Sequence, residues 1–105
     1  MNTELLNERD IAFLLHEFLD TDAVLQRPLY REHSREIFDA VLDTAKSIAE
    51  DKFANHNQKG DANEPQFNGK TVSITSETKA AWDAWAEAGF LAAHYPFDEG
   101  GMQLP

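Results

Sequence analysis

Residues 35–55 constrain the fold of this chain more than any other stretch. Ile37, Phe38, Val41, Leu42, Ala45, Ile48, Ala49 and Phe53 recur in steps of three and four. That spacing keeps one apolar stripe on a helix for about five turns. Such a helix must bury its stripe against other elements. Ser34 stands where an N-cap is needed, and Glu36 lies near the positive end of the helix. The spacing therefore predicts a long helix over about residues 35–55.

The flanking segments supply candidate partners. Ile11, Leu14, Leu15, Phe18 and Leu19 recur at i, i+3, i+4, i+7 and i+8, which predicts a helix over about residues 5–19. A break is expected near Asp20-Thr21-Asp22, followed by a short turn from Ala23 to Gln26. Pro28 opens a connector and pushes Arg27 towards an extended backbone. The stretch from Asn55 to Gln66 is almost free of apolar residues and reads as a solvated loop. Asn68-Gly69 is a favoured hairpin pair, and Val72 and Ile74 alternate with polar neighbours. Thr75 or Ser76 can cap a last helix over about residues 77–88. Its expected buried stripe is Ala81, Trp82, Trp85 and Ala88, with Gly89 as its stop. The sum is an all-α class: a small bundle of three main helices plus one short helix, with a minor β-hairpin.

Composition narrows function by exclusion. The chain has 105 residues, room for one small domain. Nine basic residues against 19 acidic ones give a net charge of −10, which argues against nucleic acid and anionic membranes as partners. There is no cysteine, so disulfides, thiolate nucleophiles and cysteine zinc sites are out. The first ten residues lack an apolar core of the signal-peptide kind. No apolar run is long enough to span a bilayer. A cytoplasmic setting fits these features.

Local patterns offer little chemistry. His16 and Asp20 share a helix face, but the zinc-protease helix needs a second histidine where Asp20 stands. A solvated polar edge is the better reading. His56 lies near Lys59 and Asp61 in a polar stretch, where solvation or helix capping outweighs general-base work. Asn57 and Asp61 are expected to hold that stretch through bonds to backbone. Trp82 and Trp85 could stack a ligand ring, but core packing is favoured. No Ser-His-Asp grouping, Walker loop or dinucleotide glycine pattern is present. The expectation is that no catalytic, cofactor-binding or metal residue lies in the chain.

The order of four stretches adds a resemblance. They are "RDIAFLLHEFLD" (Arg9 to Asp20), "FANHNQKGD" (Phe53 to Asp61), "NGKTVSITSETKAAWDAWAEAGF" (Asn68 to Phe90) and "FDEGGMQLP" (Phe97 to Pro105). Together they resemble the N-terminal part of bacterial acyl-CoA dehydrogenases. The closer likeness is to the long-form group that includes 3-methylmercaptopropionyl-CoA dehydrogenase-type enzymes. Within that likeness, Asn57, Gly60 and Asp61 match a helix-end motif. Glu99 departs from it where an aromatic commonly precedes the two glycines, and Asn55 departs where a proline is common.

The resemblance implies a leading helical segment at 1–30 and the start of the dehydrogenase helical domain at 31–105. It implies a parent oxidoreductase of fatty acid metabolism. That enzyme removes the α-proton of an acyl-CoA thioester and passes the β-hydride to FAD. It places the base, the flavin contacts and the acyl pocket in later regions, so this stretch is structural and inactive alone. It also implies that a larger protein continues past the Gly100-Gly101 turn. The implied partners are the remainder of the subunit and, through uncovered apolar faces, other copies of the chain. A second expectation, from a different class, is a stand-alone acidic helical interaction module that binds a basic partner.

Overall fold

The computed structural model describes residues 5–105, so the part of the leading segment at 1–4 lies outside the described residues. The fold is mostly helical, with one tiny antiparallel sheet, as the periodicities predict. Its helices are α1 (Glu8–Phe13), α2 (Thr21–Leu25), α3 (Arg35–Ile48), α4 (Asn57–Ala62) and α5 (Ser76–Glu87). The strands are β1 (Gln66–Phe67) and β2 (Val72–Ser73).

Helix α3 starts where its cap dictates. The Ser34 hydroxyl accepts the Ile37 N–H at 3.2 Å. Past Ile48 the winding loosens into a π-turn, Ala49–Phe53, then tightens into a 3₁₀ turn, Ala54–His56. A π-turn holds an extra residue, which rotates the residues after it by about 100°. Phe53, the last residue of the π-turn, is 39% exposed, as is Ile37 near the start of the stripe.

The leading segment behaves alike. Helix α1 passes directly into a π-turn, Leu14–Phe18. Ile11 and Leu15 stay half-buried, while Leu14, Phe18 and Leu19 turn outward. Three of the five residues in the expected apolar stripe are thus exposed.

Other local features depart from the sequence reading for identifiable reasons. The expected loop after Asn55 contains α4. The Asn55 and Asn63 side chains donate to carbonyls four residues back. Those two residues hold the segment, in place of Asn57 and Asp61. In the hairpin, Gln66 pairs with Ser73 and Phe67 with Val72. The turn is one residue out of the expected register. Gly69 takes φ +95°, while Asn68 flanks the turn and its Oδ1 accepts the N–H of Lys70 and of Thr71. A glycine at the first central position suffices for this turn, so asparagine is freed to brace it.

On α5, Ala81 is fully buried, Trp85 is half-buried and Trp82 is 56% exposed. Residues 81, 85 and 88 form a stripe in steps of four and three, from which 82 lies about 100° away. Trp82 is therefore not core. Gly89, at φ +88°, ends the helix as expected.

The C-terminal stretch is ordered. Gly101, Gln103 and Leu104 donate backbone hydrogen bonds to Pro96, Tyr95 and Ala93. A Cβ on Gly101 would overlap the Tyr95 carbonyl, so only glycine fits there.

The assembled chain is a thin slab. A compact chain of this length has a radius of gyration of about 13 Å, whereas this one has 17.1 Å and extents of 51 × 34 × 18 Å. Its surface is 8022 Å², against about 6,000 Å² expected from its mass. Among the described residues only Phe38 and Ala81 form the buried apolar core. None of the described helices is long and apolar enough to cross a membrane.

Candidate functional site

An apolar cleft of about 460 Å³ lies between the Leu14–Phe18 turn, α2 and α3. Leu15, Leu19 and Val24 line one wall, and Phe38, Val41 and Leu42 line the other. Thr21, Leu104 and Pro105 complete the lining.

Each wall is set by a specific device. Asp20 reverses the chain after the π-turn by adopting φ +50° and ψ 59°, a left-handed conformation that aspartate tolerates better than most residues. Thr21, 8% exposed, then donates its hydroxyl to the Leu15 carbonyl and clips α2 to the turn before it. Leu104 and Pro105 are delivered from far along the chain. The Gln103 side chain donates to the Leu29 carbonyl at 2.8 Å and accepts the Phe97 N–H at 3.1 Å. His33 Nε2 donates to the Met102 carbonyl at 3.0 Å, while its ring stacks on Phe97 at 5.8 Å.

Two polar bridges brace the leading segment on α3. His16 Nε2 lies 3.0 Å from Asp39 Oδ1, with the His16 side chain 3% exposed. Lys46 Nζ lies 2.9 Å from Glu8 and 3.8 Å from Glu50. The hydrogen bond to Glu8 is the main cause that holds the Lys46 ammonium above the usual lysine range. Partial burial opposes the shift, and the charges of Glu8, Glu50 and Asp43 add to it.

Comparisons with protein-family models, with curated proteins and with solved structures find no match to this chain.

The sequence-derived candidates end up in structural roles. His16 faces Asp39 rather than Asp20, so the helical metal pattern does not assemble. No group of three His, Asp or Glu side chains able to hold a metal occurs among the described residues. His56 is buried. Its Nδ1 donates to the Lys52 carbonyl at 2.7 Å, and its Nε2 faces the Thr78 hydroxyl at 3.4 Å. It caps the end of the α3 extension and ties it to α5, which answers the capping expectation. Lys59 pairs instead with Glu77 at 2.5 Å. Trp85 stacks on Phe90 with centroids 4.3 Å apart.

Asp39, His33 and Gln103 escape sequence reasoning. Their partners lie 23, 69 and 74 residues away, where no local spacing can signal them.

Proposed function

We propose that this chain is the N-terminal helical domain of an FAD-dependent acyl-CoA dehydrogenase, with a structural rather than catalytic role. In the whole enzyme it packs on the remainder of the subunit and helps to close the substrate side. The setting proposed is cytoplasmic. FAD and the acyl-CoA thioester are bound by the whole enzyme and not by this domain.

Two things support the reading. The four stretches from Arg9 to Pro105 follow the order of that family's leading region. The observation that carries it is the thin core. Phe18, Leu19, Phe67 and Trp82 are each more than half exposed, while Phe38 and Ala81 alone are buried apolar residues among those described. Apolar side chains left open in this way imply a covering layer from elsewhere.

The test is to follow the coding frame past the codon for Pro105 and to purify its product. The expected product is yellow, carries flavin and oxidises an acyl-CoA thioester, while the 105-residue chain alone is colourless. A longer product without flavin overturns the dehydrogenase reading. Stoichiometric flavin on the short chain overturns the assignment of the FAD site to other regions.

The second reading, a stand-alone acidic helical interaction module, draws on the net charge of −10 and on the apolar cleft.

A further inference from the structure

Asn68-Gly69 does more than turn the hairpin. The chain has six asparagines, at positions 2, 7, 55, 57, 63 and 68, and only Asn68 is followed by glycine. The Cγ of an asparagine is open to attack by the backbone nitrogen of the next residue. A Cβ on that residue crowds the approach, and glycine has none. Asn68 and Gly69 are both exposed, and nothing lies within 4 Å of where a Cβ on Gly69 would stand.

The folded turn supplies three further parts. Among the described residues the Gly69 N–H has no hydrogen-bond partner, so no bond must break before its nitrogen acts. The Asn68 Oδ1 accepts the N–H of Lys70 and of Thr71, each at 2.9 Å. Those two donors polarise the amide carbonyl and face the oxygen on which negative charge grows as Cγ becomes tetrahedral. The Asn68 Nδ2, the leaving group, lies 3.2 Å from the Thr71 Oγ1, whose hydroxyl is placed to protonate it as it departs. The same contacts restrict the side chain before reaction, so less freedom is lost on the way to the ring.

We infer that Asn68-Gly69 is a self-modification site, where the folded turn promotes cyclisation of Asn68 onto Gly69 with loss of the side-chain amide. The Gly69 nitrogen gives up its proton to solvent and bonds to Cγ, and the Cγ–Nδ2 bond breaks with release of ammonia. The five-membered imide then takes up one water. Opening at Cγ leaves aspartate; opening at the main-chain carbonyl of residue 68 leaves isoaspartate. One water is consumed, one ammonia is released, and nothing is oxidised or reduced. Either product adds one negative charge to the net −10. Isoaspartate also adds a methylene to the main chain, inside a hairpin held by two residue pairs, Gln66 with Ser73 and Phe67 with Val72. So short a hairpin opens when its turn is lengthened. None of this depends on the dehydrogenase reading.

The test incubates the full chain at neutral pH beside an end-blocked peptide of residues 64–74. Tryptic mass mapping follows the fragment of residues 60–70, whose fragmentation separates Asn68 from Asn63. Labelling by an isoaspartyl-directed carboxyl methyltransferase reads the isoaspartate. Asn68 should convert before the other asparagines, and faster in the folded chain than in the peptide. Gly69→Ala should slow the full chain about tenfold, through crowding by the new Cβ. Thr71→Val, at an exposed position, should keep the helical spectrum and slow the full chain but not the peptide. After conversion the amide of residue 68, bonded to the Thr71 carbonyl at 3.1 Å, should lose its exchange protection.

Two results overturn the inference. One is an Asn68 that keeps its amide while another asparagine converts. The other is a full chain that converts no faster than the peptide, which would make the turn a guard against the reaction.

Discussion

His16 and Asp39 meet 3.0 Å apart, a nearly buried imidazole against a carboxylate that is 54% exposed. The bond joins the π-turn after α1 to the middle of α3. His16 Nδ1 is buried without a partner, so Asp39 is the one hydrogen-bond partner of this ring among the described residues.

Asp39→Ala therefore leaves a buried imidazole with both nitrogens unpaired. Chemical denaturation should show a loss of about 1–3 kcal/mol, the usual penalty for orphaning a buried polar group. Asp39→Asn keeps an acceptor oxygen and should recover most of it. Amide exchange across residues 8–18 should quicken in the alanine variant. An unchanged denaturation midpoint would remove the pair from any bracing role.

Gly101→Ala should dislodge the C-terminal stretch. The added methyl overlaps the Tyr95 carbonyl, and backbone cannot yield as a flexible side chain does. The expected cost is about 1–3 kcal/mol, as for other overpacked sites. Exchange of the Gln103 and Leu104 amides, bonded to Tyr95 and Ala93, reports it directly. Gly69→Ala is the comparison, because nothing lies within 4 Å there and only the positive φ opposes the methyl. Its cost should stay at about 1–2 kcal/mol.

The two tryptophans should separate cleanly. Trp85 is half-buried and stacked on Phe90, so Trp85→Ala should cost about 2–3 kcal/mol, below the range for a fully buried tryptophan. Trp82→Ala, on a side chain 56% exposed, should stay within about 0.5 kcal/mol. Equal costs for the two would contradict the stripe of Ala81, Trp85 and Ala88.

Acid should weaken the fold partly through Glu77. The hydrogen bond from Lys59 is the main cause that pushes its carboxyl down to about 2 from 4.5. Backbone N–H bonding, the Lys59 charge and the Ser76 hydroxyl assist. A carboxyl whose folded value is lowered favours the folded state when ionised. That contribution is complete above its unfolded value and fades as pH falls through the folded one. The window thus runs from near 4.5 down to about 2. Both side chains are exposed, so the effect is small and screened by salt. Lys59→Met should flatten the acid limb of denaturation midpoints in that window. An identical limb in the variant would show that the pair contributes nothing.

The sequence by itself determined several of the local elements, though not α4 or the register of the hairpin turn. Ser34, Gly69 and Gly89 act through their own backbone chemistry, and the α3 stripe comes from side-chain spacing, so each is readable within a few residues. It also determined the acidic balance that governs which partners are repelled. Tertiary structure alone decided the rest. The winding loosens into π-turns at Leu14–Phe18 and Ala49–Phe53, where Leu14, Phe18 and Phe53 are exposed although an even helical period assigns them to buried stripes. Helix α5 packs against α3 and its extension with Ala81 buried, and Trp82, about 100° round the helix, is left 56% exposed. The partners of Asp39, His33 and Gln103 were fixed by how distant segments pack. Spacing along a chain encodes the faces of one helix; which faces meet, and which stay open, depends on contacts that no single segment carries.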